Sequence, residues 1–322
     1  MALNNSGPIS LGGSTVGQSI ALELGQSATG QISLNDANVR ALAQVPSGAI
    51  IMPTNFYNKG AGYGGTAIIY TLGGGGAGGI DAQSGAAGQN SFLTYESLTL
   101  TAQGGGGGNW NNGINSTGGL AINGSSNAIG GTGGGVSGDR GGGGGGAIGT
   151  SDNNTWGQSA GQTGASAIDW TGTLSAALSG TGYSLGFGGA GASSSSSSIN
   201  NMDGAVGGLG AGGGGAGWYG GNGGPGGIGG GGGGGAAGYS APNMTGGSGG
   251  VGMLLVQSFN GSSYTKAIFF GPTSATYTLP NGTISFQVWL IGGGGGGAGS
   301  AGYDGNSGGG GAAGGGVYRG WF

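Results

Sequence analysis

Apolar and polar positions alternate in short bursts along this chain, and almost every burst runs into glycine. Thr66–Leu72 (TAIIYTL) reads as a strand that opens directly into GGGGAGG, and Phe92–Ala102 (FLTYESLTLTA) alternates before Gly104–Gly108. Val251–Gln257 (VGMLLVQ), Lys266–Phe270, Ala275–Leu279 and Ile284–Ile291 (ISFQVWLI) give further strands, with turns at Gly271-Pro272 and Pro280-Asn281-Gly282. The last strand feeds Gly292–Gly316, and Val317–Phe322 ends the sequence. The order apolar strand, glycine field, apolar strand therefore occurs twice, long and then short.

Residues 1–59 have a different texture. Ser14 can cap a short helix through Leu24, with Val16, Ile20 and Leu24 on one face and Gly25 following it. Ile32–Leu34 alternates as a short strand. Asn35 can cap a second helix carrying Val39, Leu42 and Ala43 inward, stopped by Pro46 and Gly48. Ala49–Met52 reads as a strand. So short a unit is marginal as a free-standing fold, which predicts an α+β module docked on something else.

Composition narrows the classes. Glycine makes up 99 of 322 residues and charged residues only 4%, with seven Pro and no Cys. Collagen is excluded, because it needs glycine at every third position and abundant proline. Disorder is argued against by a net charge of only −4 together with six Trp, 11 Tyr and eight Phe. Five Lys and Arg cannot track a phosphate backbone, so nucleic acid is not an expected partner. No apolar run is long enough for membrane insertion, and MALNNSGPIS lacks the basic and apolar regions of a signal peptide.

Glycine is disfavoured inside both helices and strands. The regular conformation left to it is a three-residue-per-turn extended helix without internal hydrogen bonds, whose N–H and C=O groups need partners outside it. Chains without side chains can approach closely enough to supply those partners. The expected fold class is therefore mostly irregular and β: a small α+β module, then a sandwich-like bundle of polyglycine-II helices flanked by short strands. Single Ala, Ile, Leu or Val residues in the runs are expected to face outward or toward covering sheets.

Strands feeding long glycine runs, joined by connections rich in Trp, Tyr, Asn and Ser, resemble the glycine-rich receptor-binding tips of tailed-bacteriophage fibres. Residues 7–59 resemble an N-terminal module of phage tail and other virion proteins, through GPISL, ELG, ISLND, VRALA, VPSGAI and NFYNK, with Ile51-Met52-Pro53 departing from it. The resemblance implies a virion-attachment module at 1–59, a glycine-rich domain at 60–258 and a second, short β plus glycine-rich unit at 259–322. It implies a non-enzymatic protein of the virion tail, extracellular after release. Its partners would be other tail or baseplate proteins through 1–59, and a host-surface glycan or outer-membrane protein through loops. A homotrimer and a single-chain tip both fit. A purely architectural virion component is the alternative. An ice-binding bundle is a more distant one, since Thr follows no repeat along the chain.

Candidate chemistry is sparse. Phe286–Gly297 satisfies strand plus G-x-G-x-x-G, but so does any polyglycine run, and no helix or acidic residue follows in register. Without His or Cys the common nucleophile–base pairs are missing, and the nine acids stand singly in turn-forming surroundings. Asp152-Asn153-Asn154 lacks an EF-hand register for Ca²⁺. No cofactor or metal is expected. The aromatics between runs, Trp110, Trp156, Trp170, Trp218 and Tyr219, are the candidate receptor-binding residues, because Trp and Tyr beside Asn and Ser suit sugar faces. Wedging the ends of the bundle is their structural alternative.

Overall fold

A computed structural model of the chain describes residues 3–24, 26–43, 45, 48–57, 59, 66–110, 116–131, 133, 144–145, 169, 171–190, 203–216, 221–236, 244–260, 263–280, 283–300 and 308–322. Residues 3–59 have a core of their own, with Leu3, Ile9, Ile20, Val39, Leu42 and Phe56 buried in one cluster. Two helices, α1 (Ile20–Glu23) and α2 (Ala37–Ala43), and a 3₁₀ turn (Thr54–Phe56) enclose it.

Several expectations for this module are corrected. The first helix is capped by Ser19, whose hydroxyl accepts from Leu22 N, and not by Ser14. The bonds Ser10 N to Gln18 O and Ile20 N to Ser10 O, with Gly17 at φ +80°, hold the preceding residues in a turn. Asn35 does not cap α2; its side chain accepts from Arg40, and Arg40 N bonds to Asp36 O. The expected strands at 32–34 and 49–52 are irregular segments that run into turns at Leu34 and Met52, because side chains take their amides. Ser33 N donates to Asp36 Oδ2, and Ile51 N donates to Asn55 Oδ1.

The remaining strands build two five-stranded antiparallel sheets. β1 (Ala67–Leu72), β2 (Ser91–Tyr95), β3 (Leu98–Ala102) and β4 (Ala121–Ile122) belong to the first, and β5 (Ser126–Ala128) to the second. The single apolar segment read at 92–102 is thus a hairpin, β2–β3, turned at Glu96 in the left-handed region (φ +51°). A short helix, α3 (Leu174–Leu178), was not anticipated. Then come β6 (Met253–Phe259), β7 (Tyr264–Phe270), β8 (Thr273–Thr278), β9 (Ser285–Ile291) and β10 (Gly316–Arg319). The sheet orders are β4-β3-β2-β1-β8 and β5-β10-β9-β6-β7.

Period-2 alternation explains the layering. Ile68, Tyr70, Leu93 and Leu100 of the first sheet pack on Leu254, Val256, Phe286, Val288 and Leu290 of the second. The opposite face of the second sheet, with Met253, Leu255, Trp289 and Ile291, is covered by α3 and by Leu209 and Ile228. Buried on both faces, β6 and β9 read as continuous apolar runs, whereas β1 alternates.

The glycine runs are neither helix nor strand, and their backbone groups pair with other runs in a three-residue cycle. In 292–300, Gly292, Gly295 and Ala298 donate to Gly315, Ala312 and Gly309. Gly293, Gly296 and Gly299 donate to Gln89, Ala86 and Gln83, and Gly294, Gly297 and Ser300 to Gly250, Gly247 and Met244. The carbonyls of Gly293, Gly294 and Gly295 accept from Gly105, Gly76 and Gly232, and the same three donors recur three residues later as Gly108, Gly79 and Gly235. One run is therefore bonded to six neighbours.

That density leaves no room for a side chain at many of the glycine positions. A Cβ on Gly294 would overlap the Gly230 carbonyl, and one on Gly297 the Gly233 carbonyl. Ile228 and Leu209 face the sheet and Val206 faces solvent, as expected of the sparse larger residues. Ala211, Ala216, Ala236, Ala298 and Ala312 depart from that expectation, being fully buried.

The boundary expected at 258/259 does not divide the described structure. β8 pairs with β1, β9 pairs with β6, and run 292–300 is bonded on all sides to runs of the first glycine field. The short second field needs the first to satisfy its backbone, so the two form one unit.

Candidate functional site

The strands give the runs a direction. Chain entry at Thr66, the β2–β3 turn at Glu96, the β6–β7 turn and the residues after β10 lie at the sheet end. The runs leave the other ends of the strands and turn at a far end. Four isolated backbone bridges mark it: Trp110 with Gly308, Ser116 with Gly133, Gly221 with Ala236, and Met244 with Ser300. The connection 80–84 also turns there, since Gly79 N bonds to Gly297 O and Gly299 N to Gln83 O.

Trp110 is the one sequence-predicted site residue among those described. It is partly buried, its N–H donates to Ser84 Oγ at 3.3 Å, and its indole Nε1 is buried without a hydrogen-bond partner. Trp156, Trp170, Trp218 and Tyr219 lie outside the described residues. The neighbours of Trp218-Tyr219, Ala216 and Gly221, belong to the far end, since Gly221 pairs with Ala236 and Ala216 N bonds to Gly234 O. Those of Trp170 belong to the sheet end: Asp169 accepts from Leu174 N and Ser175 N of α3, and Thr171 Oγ1 accepts from Trp289 Nε1 at 3.3 Å. The described residues that flank Trp170 and Trp218-Tyr219 therefore belong to different ends.

The far end also carries polar residues that sequence reasoning set aside as ordinary turn formers. Asp81 sits at φ +55° with its Oδ1 buried and unpartnered. Asp203 Oδ1 accepts from Asn222 N at 2.7 Å, and Asn222 Oδ1 accepts from Thr245 N and Oγ1 at 3.0 and 2.8 Å. Among the described residues, Lys and Arg are confined to the N-terminal module and the two-sheet region, as Arg40, Lys59, Lys266 and Arg319. No group of three or more His, Cys, Asp or Glu able to hold a metal occurs among the described residues.

Two other surfaces stand out. The outer face of the first sheet brings together residues far apart in sequence. One row across the strands is Ile122, Thr101, Phe92, Thr71 and Ser274, and the next is Thr99, Thr94, Ile69 and Thr276. It bears no charge. In the N-terminal module, Leu11, Gly12, Gly30, Ile32, Ser33 and Asp36 line an open depression of about 420 Å³.

Asp169 has the best-defined titration environment. Partial burial raises its pKa, but N–H bonds from Ser175 and Leu174, with hydroxyl contacts from Thr171 and Ser175, outweigh that and hold it below the ordinary carboxylate value. Its partners are Thr171 and the first turn of α3, so the lowering is set by local structure.

Comparison of the chain with protein-family models, characterised proteins and solved structures returned no match.

Proposed function

We propose that the protein is a virion tail component that attaches through residues 1–59 and presents the far end of its glycine runs to a host cell surface. In this reading the runs are polyglycine-II helices, supported by their three-residue bonding cycle and six-neighbour packing. The observation that carries the functional reading is polarity. The chain enters the sheets from the N-terminal module at Thr66, at one end, while Trp110 and the residues flanking Trp218-Tyr219 lie at the other. A bundle of mutually bonded runs with an attachment module leading into one end and Trp110 at the other has the layout of an adhesin. No enzymatic step is assigned to it.

Deleting 61–322 tests this in assembled particles. Loss of adsorption with intact particles supports the adhesin. Failed assembly favours the architectural alternative, and undiminished adsorption overturns the adhesin reading.

A second reading is favoured by the Thr face of the first sheet. Thr hydroxyls and methyls on a charge-free sheet face, spaced roughly 4.8 Å between strands, suit adsorption to ice. Inhibition of ice recrystallisation that is lost in Thr94→Lys and Thr276→Lys supports that reading. An inactive wild-type protein rejects it.

A further inference from the structure

The edge of a sheet is a row of backbone N–H and C=O groups open to another strand, and folded proteins shorten, charge or cover such edges. Three of the four edges of the described sheets follow that rule. β4 and β5 are two and three residues long. β7 carries Lys266, whose ammonium donates to Ala176 O and Ser179 O of α3 and its cap, and Tyr183 packs edge-on against Phe270 at 5.0 Å. β8 has none of these devices. It is six residues long, contains no charge, Pro or Gly, and is exposed at every position except Tyr277.

The register shows which groups of β8 are free. Leu279 N donates to Thr66 O, so the two-residue period of an antiparallel ladder bonds Tyr277, Ala275 and Thr273 to β1. The N–H and C=O groups of Ser274, Thr276 and Thr278 then point away from β1, and no described residue bonds to them. The side chains of these three residues stand on the outer face, where Ser274 Oγ donates to Thr71 Oγ1 at 3.0 Å.

We propose that β8 is the pairing edge for a second copy of this chain, antiparallel, with Thr276 of one copy opposite Thr276 of the other. That register is self-complementary. Ser274 of each copy meets Thr278 of the other, and the free residues of the two edges close about six backbone hydrogen bonds. The cross-strand neighbours are Thr with Thr and Ser with Thr, a favourable class, and no like charges meet. On the other face, Ala275 of each copy comes beside Tyr277 of the other, whose ring already rests on Phe269 at 5.2 Å. Because the other three edges are blunted, a two-fold pair uses up the open edge and assembly stops at two. Six residues of strand span only about 20 Å, so the interface is smaller than a standard one and a micromolar dissociation constant is expected. The proposal does not depend on the adhesin reading.

The test is sedimentation of the full-length protein from about 1 to about 200 µM, a range that brackets such a constant. The wild type is expected to pass from one chain mass to two, and no further. Thr276→Pro removes an N–H that β1 does not use, and should hold the protein at one chain mass throughout, with circular dichroism unchanged. Thr276→Lys and Thr276→Glu each set like charges face to face and should each stay single, whereas an equal mixture of the two should pair. That rescue also shows that both variants are folded. Thr94→Lys, on the same outer face but two strands in from the edge, should pair as the wild type does. A wild type that stays single at the highest concentration, a pair that survives Thr276→Pro, or a Lys–Glu mixture that fails to pair overturns the proposal. So does growth beyond two copies, and so does loss of pairing in Thr94→Lys, which would put the contact on the sheet face instead of its edge.

Discussion

Gly232 donates its N–H to the carbonyl of Gly295 at 2.9 Å, joining a run of the long glycine field to the central run of the short one. A Cβ on Gly232 would collide with the Gly247 carbonyl and crowd Ser248 O. Gly232→Leu is therefore expected to destabilise the protein by more than about 3 kcal/mol or to abolish folding, beyond the usual range for overpacking because the obstacle is backbone. Ala86→Ser, at an exposed position of a neighbouring run, should stay within about 0.5 kcal/mol. Chemical denaturation of the two variants checks this, and an unchanged midpoint for Gly232→Leu would refute the packing.

The second sheet holds a polar pair inside its apolar face. Gln287 Nε2 donates to Gln257 Oε1 at 2.7 Å, and Tyr318 OH donates to Gln287 Oε1 at 2.9 Å. Gln257→Leu strands the Gln287 amide and should cost about 1–3 kcal/mol. Replacing both glutamines by Leu should cost less than the sum of the single changes, giving a coupling of about 0.5–3 kcal/mol in urea denaturation. Strict additivity would show that the two amides do not depend on each other.

Asp169 predicts a pH effect. Its folded-state pKa is lowered, so the stability it contributes is present above the unfolded value, near 3.8, and is lost as pH falls through the folded value. Thermal melts of the wild type and Asp169→Asn should differ most at neutral pH, with the wild type more stable, and converge as the solution is acidified below about pH 4. A difference independent of pH would assign the role of Asp169 to shape alone.

Binding at the far end should be nearly insensitive to salt. With 4% charged residues in the chain and no described cation at that end, raising salt from about 0.05 to about 0.5 M should leave adsorption within a few-fold. A loss of a hundredfold would point to an electrostatic interface carried elsewhere.

The sheets were legible in the sequence because their alternation is a local property. Ile68, Tyr70 and Leu72 mark one face of β1 without reference to any other strand. Strand partners were not legible: β8 lies beside β1, about two hundred residues earlier in the chain, and nothing in TSATYT names that partner. The Thr face was missed for the same reason, since Thr71, Thr94, Thr101 and Thr276 become neighbours only through pairing. For the site, Trp110 was conspicuous by residue type, whereas Asp81 is distinguished only by its burial and φ. Whether the short glycine field closes alone or by packing on the first is open in the sequence, because one Gly–Gly step looks like another.

That sameness has a consequence for how the molecule can change. Shifting any run by three residues reproduces its own hydrogen-bond cycle, so the glycines carry no information about which residue faces which. Alignment is imposed from the ends, by strands such as β9 and by turns such as the one holding Leu209 against the sheet. The bundle thus has a reading frame. Insertions of three residues within a run can be absorbed as extra length, and insertions of one or two throw every neighbour out of phase.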